Sequence, residues 1–190
     1  MSQTELNKFN EKLAFHSAPT LLGIKCASLI SLPSNEFKLK YHCSFFNSKA
    51  SVKGLKSRVL CECKNRSLML VYNERLLSKR LAEKEIISML ANCGYPQNST
   101  LEEKLDFLAK RIKGCNDFPH EIGIFLDYPI EDVKGFIENN GENFKLCGFW
   151  KVYDNEEKAR KTFSNYKKCR NFLCGKLSEG TDIYKALRIV

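Results

Sequence analysis

Three side chains able to do chemistry fall in one stretch of the chain: His120, Cys147 and Trp150, within FPHEIGIFLDYPIEDVKGFIENNGENFKLCGFWKVY, residues 118–153. An imidazole titrates near pH ~6.5, which suits proton transfer or metal ligation. A cysteine serves as nucleophile or metal ligand through its thiolate. An indole offers a flat stacking face. His120 stands at the entrance of a predicted strand, in Pro-His-Glu, where it can face a cleft or make a structural loop hydrogen bond. Glu121 beside it points the other way in extended chain. In a strand, Gly148, Trp150 and Val152 share one face, and Cys147, Phe149, Lys151 and Tyr153 share the other. Both faces are largely apolar, so the strand reads as central, with Trp150 either core or ligand platform. Gly148 would let a helix or a ligand approach the backbone.

A second constellation is HSAPT, residues 16–20. Pro19 suits the first position of a helix, and Thr20–Leu32 reads as a mostly apolar helix that Pro33 ends. Helix N-termini bind anions. His16, a hydroxyl from Ser17 or Thr20, and the cation of Lys25 would then form an anion site. The plainer reading is a helix cap beside an exposed histidine. The ligand-binding candidates are thus His16, Ser17, Thr20, Lys25, His120, Glu121 and Trp150. Should the two histidines line one hollow, His16, His120 and Cys147 form a sparse metal set, or Cys147 forms a nucleophile pair with either histidine. Nothing in the spacing favours that pair over chance.

Other chemistries lack their signatures. There is no G-x-S-x-G elbow, phosphate loop, dinucleotide fingerprint or H-E-x-x-H motif. The nine cysteines include no C-x-x-C pair, which argues against a zinc ribbon or a thioredoxin-like motif. Cys61 and Cys63 share a face of a predicted strand, and Cys169 and Cys174 lie five apart on a predicted helix. Most of the nine read as small buried hydrophobes. No apolar run approaches the ~18 residues of a membrane span. The first residues lack a secretory signal. A cytoplasmic protein with reduced thiols is expected, with no membrane partner.

The net charge of +9 is unevenly spread. Residues 36–80 hold eleven Lys and Arg against three Asp and Glu, and residues 151–190 hold ten against five. Residues 81–150 reverse the sign, with seven against twelve. A basic face of this kind attracts nucleic acid, acidic proteins or anionic ligands, or serves only as a solvated surface.

The elements that must position these residues read as follows. Residues 3–15 form a helix with Leu6, Phe9 and Leu13 on one face. Residues 35–48 form another. RVLCEC (58–63) and SLMLVY (67–72) make a hairpin. Residues 74–93 are helical with a break near Ala82. Ser99 and Glu102 fit a capping box before Leu101, Leu105, Leu108 and Ile112. Residues 121–128 form a strand, and a helix starting at Pro129 buries Ile130, Val133 and Ile137. Residues 145–153 form the last strand, and a basic helical segment, 155–190, completes the chain. The sum is a single α+β domain over 1–190, with a small sheet of about four strands covered by helices. The unit 121–153 could be a right-handed βαβ crossover with parallel strands.

HSAPTLLGIK, FPHEIGIFLDYPIEDVKGFIENNG, CGFWKVY and the spaced Phe163, Tyr166 and Cys169 together resemble the family known as domain of unknown function 3793. The resemblance covers nearly the whole chain. It implies a small cytoplasmic bacterial protein, of the kind found in clostridia and their relatives, and assigns no chemistry. Three functions are compatible with the residues. The first is a non-catalytic binding module for an anionic ligand or an acidic protein partner. The second is a metal-, haem- or redox-linked accessory protein drawing on Cys and His. The third is an RNA- or DNA-binding protein with Tyr41, Phe45, Phe46, Tyr72 and Tyr166 as stacking rings. The first accounts best for the missing catalytic signature and for the charge.

Overall fold

The structure, a computed structural model, describes residues 2–62, 65–114 and 118–189. In chain order the elements are α1 (Gln3–Leu21), β1 (Ala27–Pro33), α2 (Leu39–Ala50), β2 (Leu55–Glu62), β3 (Arg66–Asn73), α3 (Glu74–Leu81) and α4 (Lys84–Asn92). They continue with α5 (Leu101–Gly114), α6 (Ile122–Phe125), α7 (Ile130–Glu138), β4 (Leu146–Cys147), β5 (Lys151–Val152), α8 (Glu156–Ser178) and α9 (Ile183–Ala186). The fold is mixed α+β, and every strand pair among the described residues is antiparallel. The chain divides into two compact units, Met1–Leu77 with Cys169–Val190, and Ser78–Lys168.

The first unit is built on a three-stranded sheet in the order β1-β3-β2. The expected hairpin is present as β2 and β3, with an irregularity between Val59 and Cys61. Its partner β1 replaces the helix expected over 20–32. Ser28, Ile30 and Leu32 turn inward at period two while Leu29 and Ser31 are half-buried, the pattern of a strand with one covered face. α1 instead runs six residues further than expected and ends near Gly23, whose φ of +72° favours glycine. Ser2 caps its start by accepting from the Glu5 N–H at 3.1 Å. Phe9, Leu13, Phe46, Met69, Leu173 and Ile183 fill the core. Within it His42 stacks on Phe9 and donates from Nε2 to Glu5 Oε1 at 2.9 Å, tying α2 to α1. Cys63, expected to share a face with Cys61, lies outside the described residues, as does Cys115.

The second unit corrects the sequence reading most. Residues 121–128 form no strand. Ile122–Phe125 is a short helix, and Leu126 closes it. Ile122, Gly123, Ile124, Phe125 and Leu126 are all buried, so the apparent alternation has no exposed face to oppose. A short apolar run buried on every side leaves strand and helix indistinguishable by pattern. The crossover therefore gives way to α6 packing on α7. Residues 145–153 are likewise not one strand. β4 and β5 form a tight hairpin whose turn, Gly148–Trp150, is closed by Gly148 N donating to Trp150 O at 3.0 Å. The break near Ala82 is present. The capping box sits one residue later than expected: Thr100 N donates to Glu103 Oε2 at 2.7 Å, and Glu103 N to Thr100 Oγ1 at 3.3 Å. Ile137, expected inside, is exposed; Asp132 is buried on α7 alongside Ile130 and Val133.

Candidate functional site

His120, Cys147 and Trp150 line one cleft of about 290 Å³ in the second unit. The cleft is bounded by the α6 turn, one face of α7 and the β4–β5 hairpin. Its walls are mostly rings, those of Phe118, Tyr128, Phe136, Phe149 and Trp150. Concave, mainly apolar hollows with a few convergent polar groups are the usual form of a small-molecule site.

Each ring is held by its element. Trp150 is 8% exposed. Tyr128 stacks on it at 5.0 Å between centroids, and Phe163 of α8 meets it edge-on at 4.5 Å. A core Trp needs an acceptor for its indole N–H, and Asp132 supplies it: Trp150 Nε1 donates to Asp132 Oδ2 at 2.7 Å. The other carboxylate oxygen accepts from Tyr153 N at 2.7 Å and Asp154 N at 3.0 Å. One buried carboxylate on α7 thus fixes both the hairpin backbone and the Trp ring. Tyr128 donates its hydroxyl to Phe149 O at 3.2 Å, and burial pushes its pKa up to about 12, so it stays a neutral donor.

Gly148 is there for closeness. A Cβ at this position would overlap the Phe163 ring. We expect Gly148→Ala to cost about 1–3 kcal/mol by overpacking, and Phe163→Leu in the same chain to restore part of the loss. Urea unfolding of the two variants measures both; an unaffected Gly148→Ala protein would contradict the packing.

Besides Asp132, whose carboxylate is taken up by the Trp150, Tyr153 and Asp154 donors, the basic groups lining the cleft are His120, exposed with its ring 5.0 Å from that of Phe136, and Lys151. Lys151 Nζ donates to Gly141 O at 2.6 Å and lies 4.8 Å from the Phe144 ring centroid. A half-buried ammonium and an imidazole therefore sit beside an aromatic hollow. Cys147 is exposed. The Cys43, Cys93, Cys169 and Cys174 thiols are pushed up by burial, which makes them poor nucleophiles.

Glu121 does not face the cleft chemistry with His120. It is buried, paired with Arg111, and accepts from the Tyr95 hydroxyl at 3.2 Å. Burial first, then the Glu121 charge, drives the Tyr95 pKa upward. This is a structural ion pair anchoring the turn that presents His120.

The HSAPT residues belong to the first unit and sit at the wrong end of a helix for an anion. They form the last turns of α1, where the dipole is negative and the amides are already bonded. Ser17 donates back to Leu13 O at 2.6 Å, and Thr20 Oγ1 pairs with Ser28 Oγ at 2.8 Å. Lys25 is buried. His16 is exposed on α1 beside Phe15; desolvation, then Lys12 and Arg170, lower its pKa and favour the neutral ring. The expected helix N-terminus after His16 is thereby overturned. His16 belongs to the first unit and His120 to the second. Among the described residues no three of His, Cys, Asp and Glu come together as metal ligands, and no helix is long and apolar enough to cross a membrane.

The residues that sequence reasoning missed are Asp132, Tyr128, Phe136 and Lys151. Asp132 had a readable signal: a Trp placed in a core demands a nearby acceptor. No curated protein and no solved structure matches the chain. The model of the family described as Protein of unknown function (DUF3793) matches residues 13–187, nearly the whole chain, and the protein belongs to that family.

Proposed function

We propose that the protein is a non-catalytic binding module whose cleft takes a planar, apolar ligand bearing an anionic group. The observation that carries this reading is the pairing of a ring-walled hollow with Lys151 and His120 beside it. Rings offer stacking surface without selecting one chemistry, whereas an ammonium beside them selects negative charge. Among the described residues no base is seated on a nucleophile there, which favours binding over turnover. A cytoplasmic location, with an intracellular metabolite or the acidic end of a partner as ligand, belongs to the same reading.

Trp150 is the only tryptophan in the chain, so its emission reports occupancy directly. Titration with naphthoate or indole acetate is expected to change it saturably, and the uncharged alcohols of the same rings to bind at least several-fold more weakly. Lys151→Met should raise Kd by roughly 5–20-fold, the worth of one charge-assisted contact, with little change in thermal stability. Equal response to acid and alcohol, or an unchanged Kd in Lys151→Met, would sink the reading.

A further inference from the structure

The first unit holds a polar hollow of about 270 Å³, lined by the first turns of α1 and the turn from α8 into α9. Its most informative residue is Asn10, which stands among Phe9, Leu13 and Ala14 on the buried face of α1 and is 5% exposed. Its Oδ1 is buried with no hydrogen-bond partner among the described residues. A buried carboxamide oxygen without a donor is costly and uncommon, and it points to a donor that arrives from outside the chain.

The two charged residues of the described lining, Glu11 and Asp182, are both acidic, and Gln3 and Asn7 add amides, Gln3 Nε2 donating to Asn7 Oδ1 at 2.9 Å. Glu11 is exposed and takes part in none of the ion pairs found among the described residues. Asp182 uses Oδ1 to cap α9, accepting from Tyr184 N at 2.8 Å and Lys185 N at 3.3 Å, and its other oxygen accepts no hydrogen bond among the described residues. Thr181 adds a hydroxyl. No Lys, Arg or His is among the described lining residues, although the chain carries +9 overall. The hollow therefore carries negative charge in a basic protein. Among the described residues no three of His, Cys, Asp and Glu come together here as metal ligands.

We propose that this hollow binds a small organic cation of the guanidinium or primary-amine class. Its N–H groups donate to Asn10 Oδ1 at the floor, and Glu11 and Asp182 supply the counter-charge. Donor-rich cations match a set of acceptors that includes neutral amide and hydroxyl oxygens.

The probe is agmatine, titrated into the full chain by calorimetry and thermal shift, with sodium chloride at equal ionic strength as control. Saturable binding at roughly 1 mM or tighter is expected. Glu11→Gln with Asp182→Asn should weaken it at least tenfold; asparagine still caps α9, so the fold is kept. Asn10→Leu should lose the agmatine response while melting no lower than the wild type, because the unbonded oxygen is gone. Lys151→Met should bind agmatine as the wild type does. The proposal is overturned if agmatine acts no differently from sodium chloride, or if Asn10→Leu binds it undiminished.

Discussion

Asp132→Ala is expected to lower the free energy of unfolding by about 3–4 kcal/mol. Its carboxylate is buried and accepts three hydrogen bonds, from the Trp150 indole and from the Tyr153 and Asp154 amides. Bonds to a charged acceptor contribute more than neutral ones, and deletion leaves donors buried without partners. Asp132→Asn should fall between the wild type and alanine. It keeps one acceptor for the two amides and turns an NH₂ toward the indole N–H. Urea unfolding followed by far-ultraviolet circular dichroism gives both values. A loss under 1 kcal/mol for alanine would mean that the hairpin is held by something other than this carboxylate.

Trp150→Ala should cost about 3–5 kcal/mol, the range for removing a large aromatic from a packed core. The ring touches Tyr128, Phe163 and Tyr166, and these with Val152 and Ala159 make up the small core of the second unit. The double variant with Asp132→Ala should lose less than the two single losses added together, by about 1–3 kcal/mol, because the two residues share a bond. Strict additivity would show that indole and carboxylate act independently. Trp150→Phe separates the roles: it keeps most of the packing and drops only the N–H.

The α+β class, the β2–β3 hairpin and the long helices were legible because their apolar periods run long enough to be unambiguous. α8 shows this well: Ala159, Phe163, Tyr166 and Leu173 recur at helical spacing and are all buried. The failures have separate causes, and the first is burial on more than one side. IGIFL has no polar face to declare its period, and it folds as a helix. CGFWK reads as a strand, yet Gly148 makes it a turn because Phe163 needs its space. α1 was ended at residue 15 because Pro19 reads more naturally as the start of a new helix than as part of the last turn of this one. Of the site, His120, Cys147 and Trp150 were legible from residue type alone, and they line one cleft. Asp132 was not, since a carboxylate at the start of a helix is ordinarily taken to be solvated.

The three-stranded sheet has two rims, and both resist growth by a neighbouring molecule. β1 finishes on Pro33, which has no amide proton to offer a stranger's carbonyl. β2 is kinked between Val59 and Cys61 and carries Lys56 and Arg58 along its length. Charge, kink and proline on such rims are how natural sheets discourage the stacking of one chain on the next, so this protein should refold at high concentration without forming fibres.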